Sequence, residues 1–299
     1  MLCLPLLLLF AFQEQPTFRS EVALIHVDAE VRSQGHSLDG LMKEDFRIID
    51  GGKPQEILYF GHQEEPLDVV LLFDTSSSME PAVASVSTTA RAALSELRKG
   101  DRAAVMAFDR HTDLILDLTP DFAAVDRAIR EQVLKRKFIP SSQIQRGVDD
   151  AALHLSLQPA GNRRRAVLVI TDNRGSSPEN RALRDFWEAD TVLSGLIVKA
   201  GIQVVFGPQM LGGFGITGIA EKTGGDTLNV NDAGAGFREM IQRLRLRYSL
   251  HYAMPQAKLG EERRVRVELS PDAARRYPQA KVRARSGYVV PDANPHLSK

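Results

Sequence analysis

Asp68-Val69-Val70-Leu71-Leu72-Phe73-Asp74-Thr75-Ser76-Ser77-Ser78-Met79 is the stretch on which the reading of this chain turns. Val69 to Phe73 form an unbroken apolar run closed by an aspartate. A strand with one wet face alternates apolar and polar residues. A strand without alternation is covered on both faces, as in a parallel sheet flanked by helices. After the run, a carboxylate and two hydroxyls stand at alternate positions, Asp74, Ser76 and Ser78, so all three can turn toward one point. In open α/β sheets ligands bind beyond the carboxyl ends of the strands, which is where these oxygens lie.

The pattern continues outward from this run. Further strand candidates are 103–108, 114–118, 166–171 and 202–206. Helical patterns fall between them, near 81–98, 122–136, 142–157, 183–200, 214–223 and 234–246, and Pro81 suits a first helical turn. Such alternation predicts an α/β fold with a doubly wound, mostly parallel sheet. Both flanks read differently. Residues 22–31 are rich in β-formers, and 46–50 and 56–60 flank Asp50-Gly51-Gly52-Lys53-Pro54, a hairpin signal. Near the other end, 248–253, 264–269 and 281–285 read as strands. Together the flanks span about 90 residues, near the roughly 100 of an immunoglobulin-like sandwich. The expectation is a β-sandwich-like domain formed by the N- and C-terminal segments, with the α/β domain inserted. Two separate β appendages are the alternative. The expected division is 1–16 signal peptide, 17–65 N-terminal β segment, 66–246 α/β domain, 247–290 C-terminal β segment and 291–299 tail.

Of 299 residues, 38 are Lys or Arg and 38 are Asp or Glu, so the formal net charge is zero. That excludes a nucleic-acid partner bound through bulk positive charge. The lone cysteine, Cys3, excludes a disulfide scaffold and a zinc site built on cysteine pairs. Leu6 to Phe12 has the length of a signal-peptide core and falls short of the roughly 20 residues of a membrane span. The expectation is an exported protein, periplasmic or extracellular, without a membrane span in the mature chain.

Two more segments bring oxygens to the same sheet edge. The apolar run at 166–171 ends in Thr171-Asp172, and the loop Pro140-Ser141-Ser142-Gln143 precedes a helix. Every donor is a hard oxygen, which suits Mg²⁺. Each residue also has a simpler reading. Ser76, Ser78 and Ser142 are all fit to cap helices. Asp172 is fit to close an Asx turn.

In this order, Asp74-x-Ser76-x-Ser78, a hydroxyl residue before a later helix, and Thr171-Asp172 after another strand resemble a von Willebrand factor type A domain. The flanks, including Gly40-Leu41-Met42-Lys43-Glu44-Asp45-Phe46 and Val282-Arg283-Ala284-Arg285-Ser286-Gly287-Tyr288, are similar to an acidobacterial-type subfamily of such proteins. The resemblance implies a metal-ion-dependent adhesion site. Ser76 and Ser78 would be direct ligands. Asp74 and Asp172 would hold Mg²⁺ (or Mn²⁺) mainly through waters. Ser142 stands where the family usually has threonine, and Ser141 competes for that role. The remaining position would take an exposed Asp or Glu of a protein partner. Ser77 and Asn173 occupy places where glycine is common. The function implied is a metal-dependent protein-binding module, not an enzyme. The alternative is a metal-free interaction module with a degenerate site.

Other signals are weak. Gly213-Phe214-Gly215-Ile216-Thr217-Gly218 matches a dinucleotide fingerprint but falls late in the α/β region, without the acidic residue expected after it. An aspartyl phosphatase would need a second aspartate where Ser76 stands. No G-x-S-x-G elbow or phosphate-binding loop is present. The histidines show no metal-ligand spacing. Arg163 to Arg165, and Arg243, Arg245 and Arg247, read most simply as solvated charges.

Overall fold

The computed structural model describes residues 23–62, 65–140, 142–159, 163–174, 179–199 and 215–291. The apolar segment 6–12 expected as a signal peptide, Ser141, the strand candidate 202–206, Gly213 and the tail beyond 291 lie outside them. The first strands are β1 (Leu24–Ser33), β2 (His36–Ser37), β3 (Phe46–Asp50), β4 (Lys53–Gln55) and β5 (Ile57–His62). Then come β6 (Leu67–Asp74), α1 (Glu80–Leu94), β7 (Arg102–Phe108), β8 (Thr112–Thr119), α2 (Phe122–Ala128) and α3 (Ile144–Ser156). They are followed by β9 (Arg164–Thr171), α4 (Glu179–Glu188), β10 (Thr191–Val198), α5 (Gly215–Thr223), β11 (Thr227–Val230) and α6 (Ala233–Arg245). The chain ends in β12 (Tyr248–Ala253), β13 (Glu262–Leu269), α7 (Pro271–Arg276), β14 (Lys281–Ala284) and β15 (Gly287–Val289).

The central sheet runs β11-β10-β9-β6-β7-β8 and is parallel except for the β7–β8 pair. Residues of β6 divide by parity. Leu67, Val69, Leu71 and Phe73 enter a core with Val86 of α1 and Phe237 and Met240 of α6. Val70 and Leu72 enter a second core with Val148 of α3, Phe186 of α4 and Ile219 of α5. Each side of the strand has its own helical layer, so the sequence of β6 does not alternate.

The flanking segments interleave. β1 lies between β14 and β12 in one sheet, and β13 pairs β3 in another. One core holds residues of both sheets, Val27, Ile48, Leu250, Tyr252 and Val265 among them. The two flanks therefore form one β-sandwich-like unit. At its centre buried Asp50 accepts from Tyr252 Oη at 2.9 Å, Tyr288 Oη at 2.6 Å and Arg263 Nε at 3.0 Å. Burial pushes the Tyr288 hydroxyl up to about 12, so it stays a donor.

Three readings need correction. The return strand after Gly51-Gly52 is β4, while β5 crosses to pair β12. Gly51 and Gly52 have φ of 54° and 82°, so the turn is of the two-residue type with both central residues left-handed. The helix expected over 183–200 stops at Glu188, and 191–198 is the strand β10. A short apolar run fits a buried strand as well as a helix, and Asp190, at φ 48°, turns the chain between them. Finally, the arginines at 164, 245 and 247 are not solvated; each is less than 4% exposed, and Arg243 is buried too. They face acids brought from β1 and from the loops below the sheet: Asp28, Glu30, Asp101 and Asp226.

Gly225 shows how closely α5 returns to the sheet. A Cβ there would lie 1.8 Å from the Leu193 carbonyl oxygen. Gly225→Ala is expected to cost about 1–3 kcal/mol of stability, measured by urea unfolding, because backbone must shift to admit one methyl group.

Among the described residues no helix is long and apolar enough to cross a membrane.

Candidate metal centre

β6 and β9 are adjacent, yet the chain leaves β6 toward β7 on one side and returns to β9 on the other. This is the point where strand order reverses, and a crevice opens there at the carboxyl ends. β6 delivers Asp74 to it and β9 delivers Thr171-Asp172.

The loop after β6 is fixed from both sides. Thr75 N–H and Thr75 Oγ1 donate to the Phe108 carbonyl at 2.9 and 3.0 Å. Ser77 N–H donates to the Ile139 carbonyl at 3.0 Å. Ser76 N–H donates to Asp74 Oδ1 at 2.9 Å, which turns the two side chains together.

All five sequence-predicted residues meet. Ser142 Oγ donates to Asp74 Oδ2 at 3.1 Å. Ser76 Oγ and Ser78 Oγ are 3.3 Å apart, and Ser78 Oγ donates to Asp172 Oδ2 at 2.7 Å. None of the three serines caps a helix with its side chain: the residue before α3 is Gln143, and Ser76 makes no capping bond. Asp172 does close an Asx turn, accepting from Arg174 N–H at 3.1 Å through Oδ1, while its Oδ2 faces Ser78.

Thr171, part of the sequence pattern but given no role there, donates from Oγ1 to Asp74 Oδ2 at 2.7 Å. A hydroxyl at the last position of β9, beside the carboxylate, was the available signal. Asn173 has φ of 58°, a left-handed conformation that asparagine tolerates better than most side chains. Its N–H donates to Thr171 Oγ1 at 3.0 Å, and its Oδ1 accepts from Ile216 N–H at 3.1 Å, at the start of α5.

Asp74 is fully buried. Burial raises its pKa, the Ser76 and Thr171 hydrogen bonds oppose this, and the Asp172 charge adds to the rise. The exposed Arg174 guanidinium lies 3.4 Å from Asp172 Oδ2 and offsets part of that charge, but two neighbouring buried carboxylates remain costly. The donors are oxygen throughout, from two carboxylates and a set of hydroxyls, which is the donor chemistry of a hard divalent cation.

Residues 69–175 match the family model for the von Willebrand factor type A domain. No curated protein shows significant similarity to the chain. Among solved structures, a von Willebrand factor type A protein from Catenulispora acidiphila superposes with TM-score 0.48 at 12% identity, over 93% of this chain and 76% of its own. An aerotolerance-related membrane protein from Bacteroides fragilis gives TM-score 0.47 at 16% identity, over 60% of this chain and 98% of its own. Proximal thread matrix protein 1 of the mussel byssus, in a form with zinc in its MIDAS motif, gives 0.46 at 16% identity, over 67% and 50%. The family match thus runs from Val69, where the apolar run of β6 begins, past Asp172, and residues 69–175 are the part of the chain similar to a von Willebrand factor type A domain.

Proposed function

We propose that the chain is a metal-ion-dependent protein-binding module. Asp74, Ser76, Ser78, Ser142 and Asp172 would hold Mg²⁺, or Mn²⁺ in its place. The observation that carries this reading is the hydrogen-bonded set that joins all five residues, Ser76 to Asp74 through its backbone N–H, at the reversal point of the sheet. The bound cation would supply a positive centre for a partner's exposed Asp or Glu. The serine hydroxyls would release the carboxylates and present their lone pairs. Thr171 would keep its hydrogen bond and hold Asp74 in place. A cleft of about 850 Å³ lined by Ser142, Gln143, Arg146 and Asp150 leaves room for a partner beside the site. The apolar segment at 6–12 supports export, so the partner would be an envelope or extracellular protein. We read the chain as a binding module and not an enzyme, the role that the similarity of residues 69–175 to the von Willebrand factor type A domain supports.

One observation favours a metal-free module. The site hydroxyls already satisfy both carboxylates without an ion. Titration calorimetry with Mg²⁺ and Mn²⁺ on the chelator-stripped chain and on Asp74→Ala separates the two readings. The expected result is saturable heat in the unmutated chain and none in the variant. Absence of heat in the unmutated chain would overturn the metal-dependent reading.

A further inference from the structure

We propose a second cation site, built from His26, Glu65 and His251 and suited to Zn²⁺. It lies on the sandwich unit, away from the serine-rich crevice, and is independent of it. No spacing in the sequence announces it; strand pairing creates it. The antiparallel register of β1 and β12 sets His26 directly opposite His251, and directly opposed residues project to one face. The two ring centroids are 4.8 Å apart. Glu65, just before β6, brings Oε1 to 3.3 Å from His251 Nε2.

One ligand atom from each residue lies within 4.8 Å of the others. Zinc bonds of about 2.0–2.2 Å in a tetrahedron place ligand atoms about 3.3 Å apart. The His251–Glu65 edge already has that length. Closing the widest separation takes about 1.5 Å, within reach of side-chain rotation.

The state of His26 points to a ligand. Its Nε2 is buried and has no hydrogen-bond partner, the nearest acid being Asp28 Oδ1 at 4.0 Å. Its Nδ1 is 2.8 Å from Asp190 Oδ2, which fixes the ring and leaves the Nε2 lone pair as the open function. A carboxylate behind a histidine is the usual outer support of a zinc ligand. An imidazole nitrogen buried without a partner is costly, and a cation would complete it.

Around the cluster Asp28, Glu65 and Asp190 are balanced by the guanidiniums of Arg164, Arg247 and Arg285, so the cation would be held by its three ligands and not by a surplus of negative charge. The ring of Tyr59 meets His251 edge-on at 5.2 Å and walls one side. His26 and His251 keep 14% and 12% of their side-chain surface exposed, which gives an entry path. Two imidazoles and one carboxylate select a borderline metal, whereas the oxygen-only crevice selects a hard one. Bound zinc would tie β1 to β12 and, through Asp190, the sandwich to the α/β domain.

The test is titration of the tag-free, chelator-stripped full chain with Co²⁺, followed by visible d–d absorption and competed with Zn²⁺. The expected result is one saturable band, displaced by Zn²⁺, present in the unmutated chain and in Asp74→Ala alike. It is absent from the His26→Gln, His251→Gln double variant. If that variant fails to fold, Glu65→Gln decides: an affinity loss of about 10–100-fold is expected. No band in the unmutated chain overturns the proposal. So does a band that survives the histidine and Glu65 substitutions and vanishes in Asp74→Ala. Failure of the Mg²⁺ reading shows only in the calorimetry and leaves the cobalt band unchanged.

Discussion

Arg164→Ala lowers the unfolding free energy by about 3–5 kcal/mol, the range for removing one partner of a buried ion pair. The Arg164 side chain is 2% exposed and Nε lies 3.0 Å from Asp28 Oδ1. The same guanidinium closes the end of α6, donating from Nη1 to the Arg245 carbonyl at 3.3 Å and from Nη2 to the Leu244 carbonyl. The substitution therefore leaves a buried carboxylate short of its main counter-charge and strips two helix-end carbonyls of their donor. It also cuts the contact between β1 of the sandwich and β9 of the central sheet.

The pH dependence has a definite sign. Burial works to raise the Asp28 pKa, but Arg164 and Arg247 outweigh it, so the folded value is lowered from 3.8. A lowered carboxylate contributes stability above its unfolded pKa and loses it as pH falls through the folded one. The difference between the unmutated chain and Arg164→Ala should thus be full at pH 7. It should shrink as pH falls below about 4. Urea unfolding at pH 7 and pH 3 measures this, and a loss under about 1 kcal/mol at pH 7 would contradict it. Adding Asp28→Leu to Arg164→Met should not restore the stability, because buried Arg247 also pairs with Asp28 and the α6 carbonyls stay without their donor.

The same residues show where sequence reading ends. The unbroken run of β6 announced a strand with a helical layer on each side, and its two parities do enter two different cores. The oxygens after it are likewise legible, because Asp74, Ser76 and Ser78 are local and the ends of β6 and β9 share one sheet edge. The buried arginines were not legible. Arg245 and Arg247 alternate like solvated charges, and their partners Asp101 and Asp28 arrive from distant parts of the chain. Charge type does not reveal burial unless the partner is known. β10 was missed for another reason: Val192 to Val198 is a short run, mostly apolar around Ser194-Gly195, in which periodicity does not separate strand from helix. His26 and His251 meet only through an antiparallel register that no local pattern encodes.

Asp74→Asn should separate folding from binding at the serine-rich site. In the metal-free chain this change removes a charge that burial disfavours and that Asp172 repels. The amide oxygen can still accept from Ser76 N–H, and the hydroxyls of Ser142 and Thr171, which now donate to Oδ2, can rotate to accept from the amide nitrogen. A raised carboxylate pKa means the folded chain binds the proton better than the unfolded one. Asp74 ionisation therefore lowers stability as pH rises above 3.8, and that loss persists at neutral pH. The metal-free variant should accordingly be no less stable than the unmutated chain at pH 7. With cation the order reverses. A ligand that binds only the folded chain adds about 2.7 kcal/mol at 100 times its dissociation constant. The unmutated chain should gain that amount from Mg²⁺, and Asp74→Asn should gain nothing, since a neutral amide offers the ion neither charge nor a second oxygen. Urea midpoints in chelator and in Mg²⁺ give all four values. A variant that is stabilised by Mg²⁺ as much as the unmutated chain would show that Asp74 does not hold the ion. A variant that is weaker in chelator would show that the carboxylate is needed for the fold, and that its hydrogen bonds outweigh the cost of burying its charge.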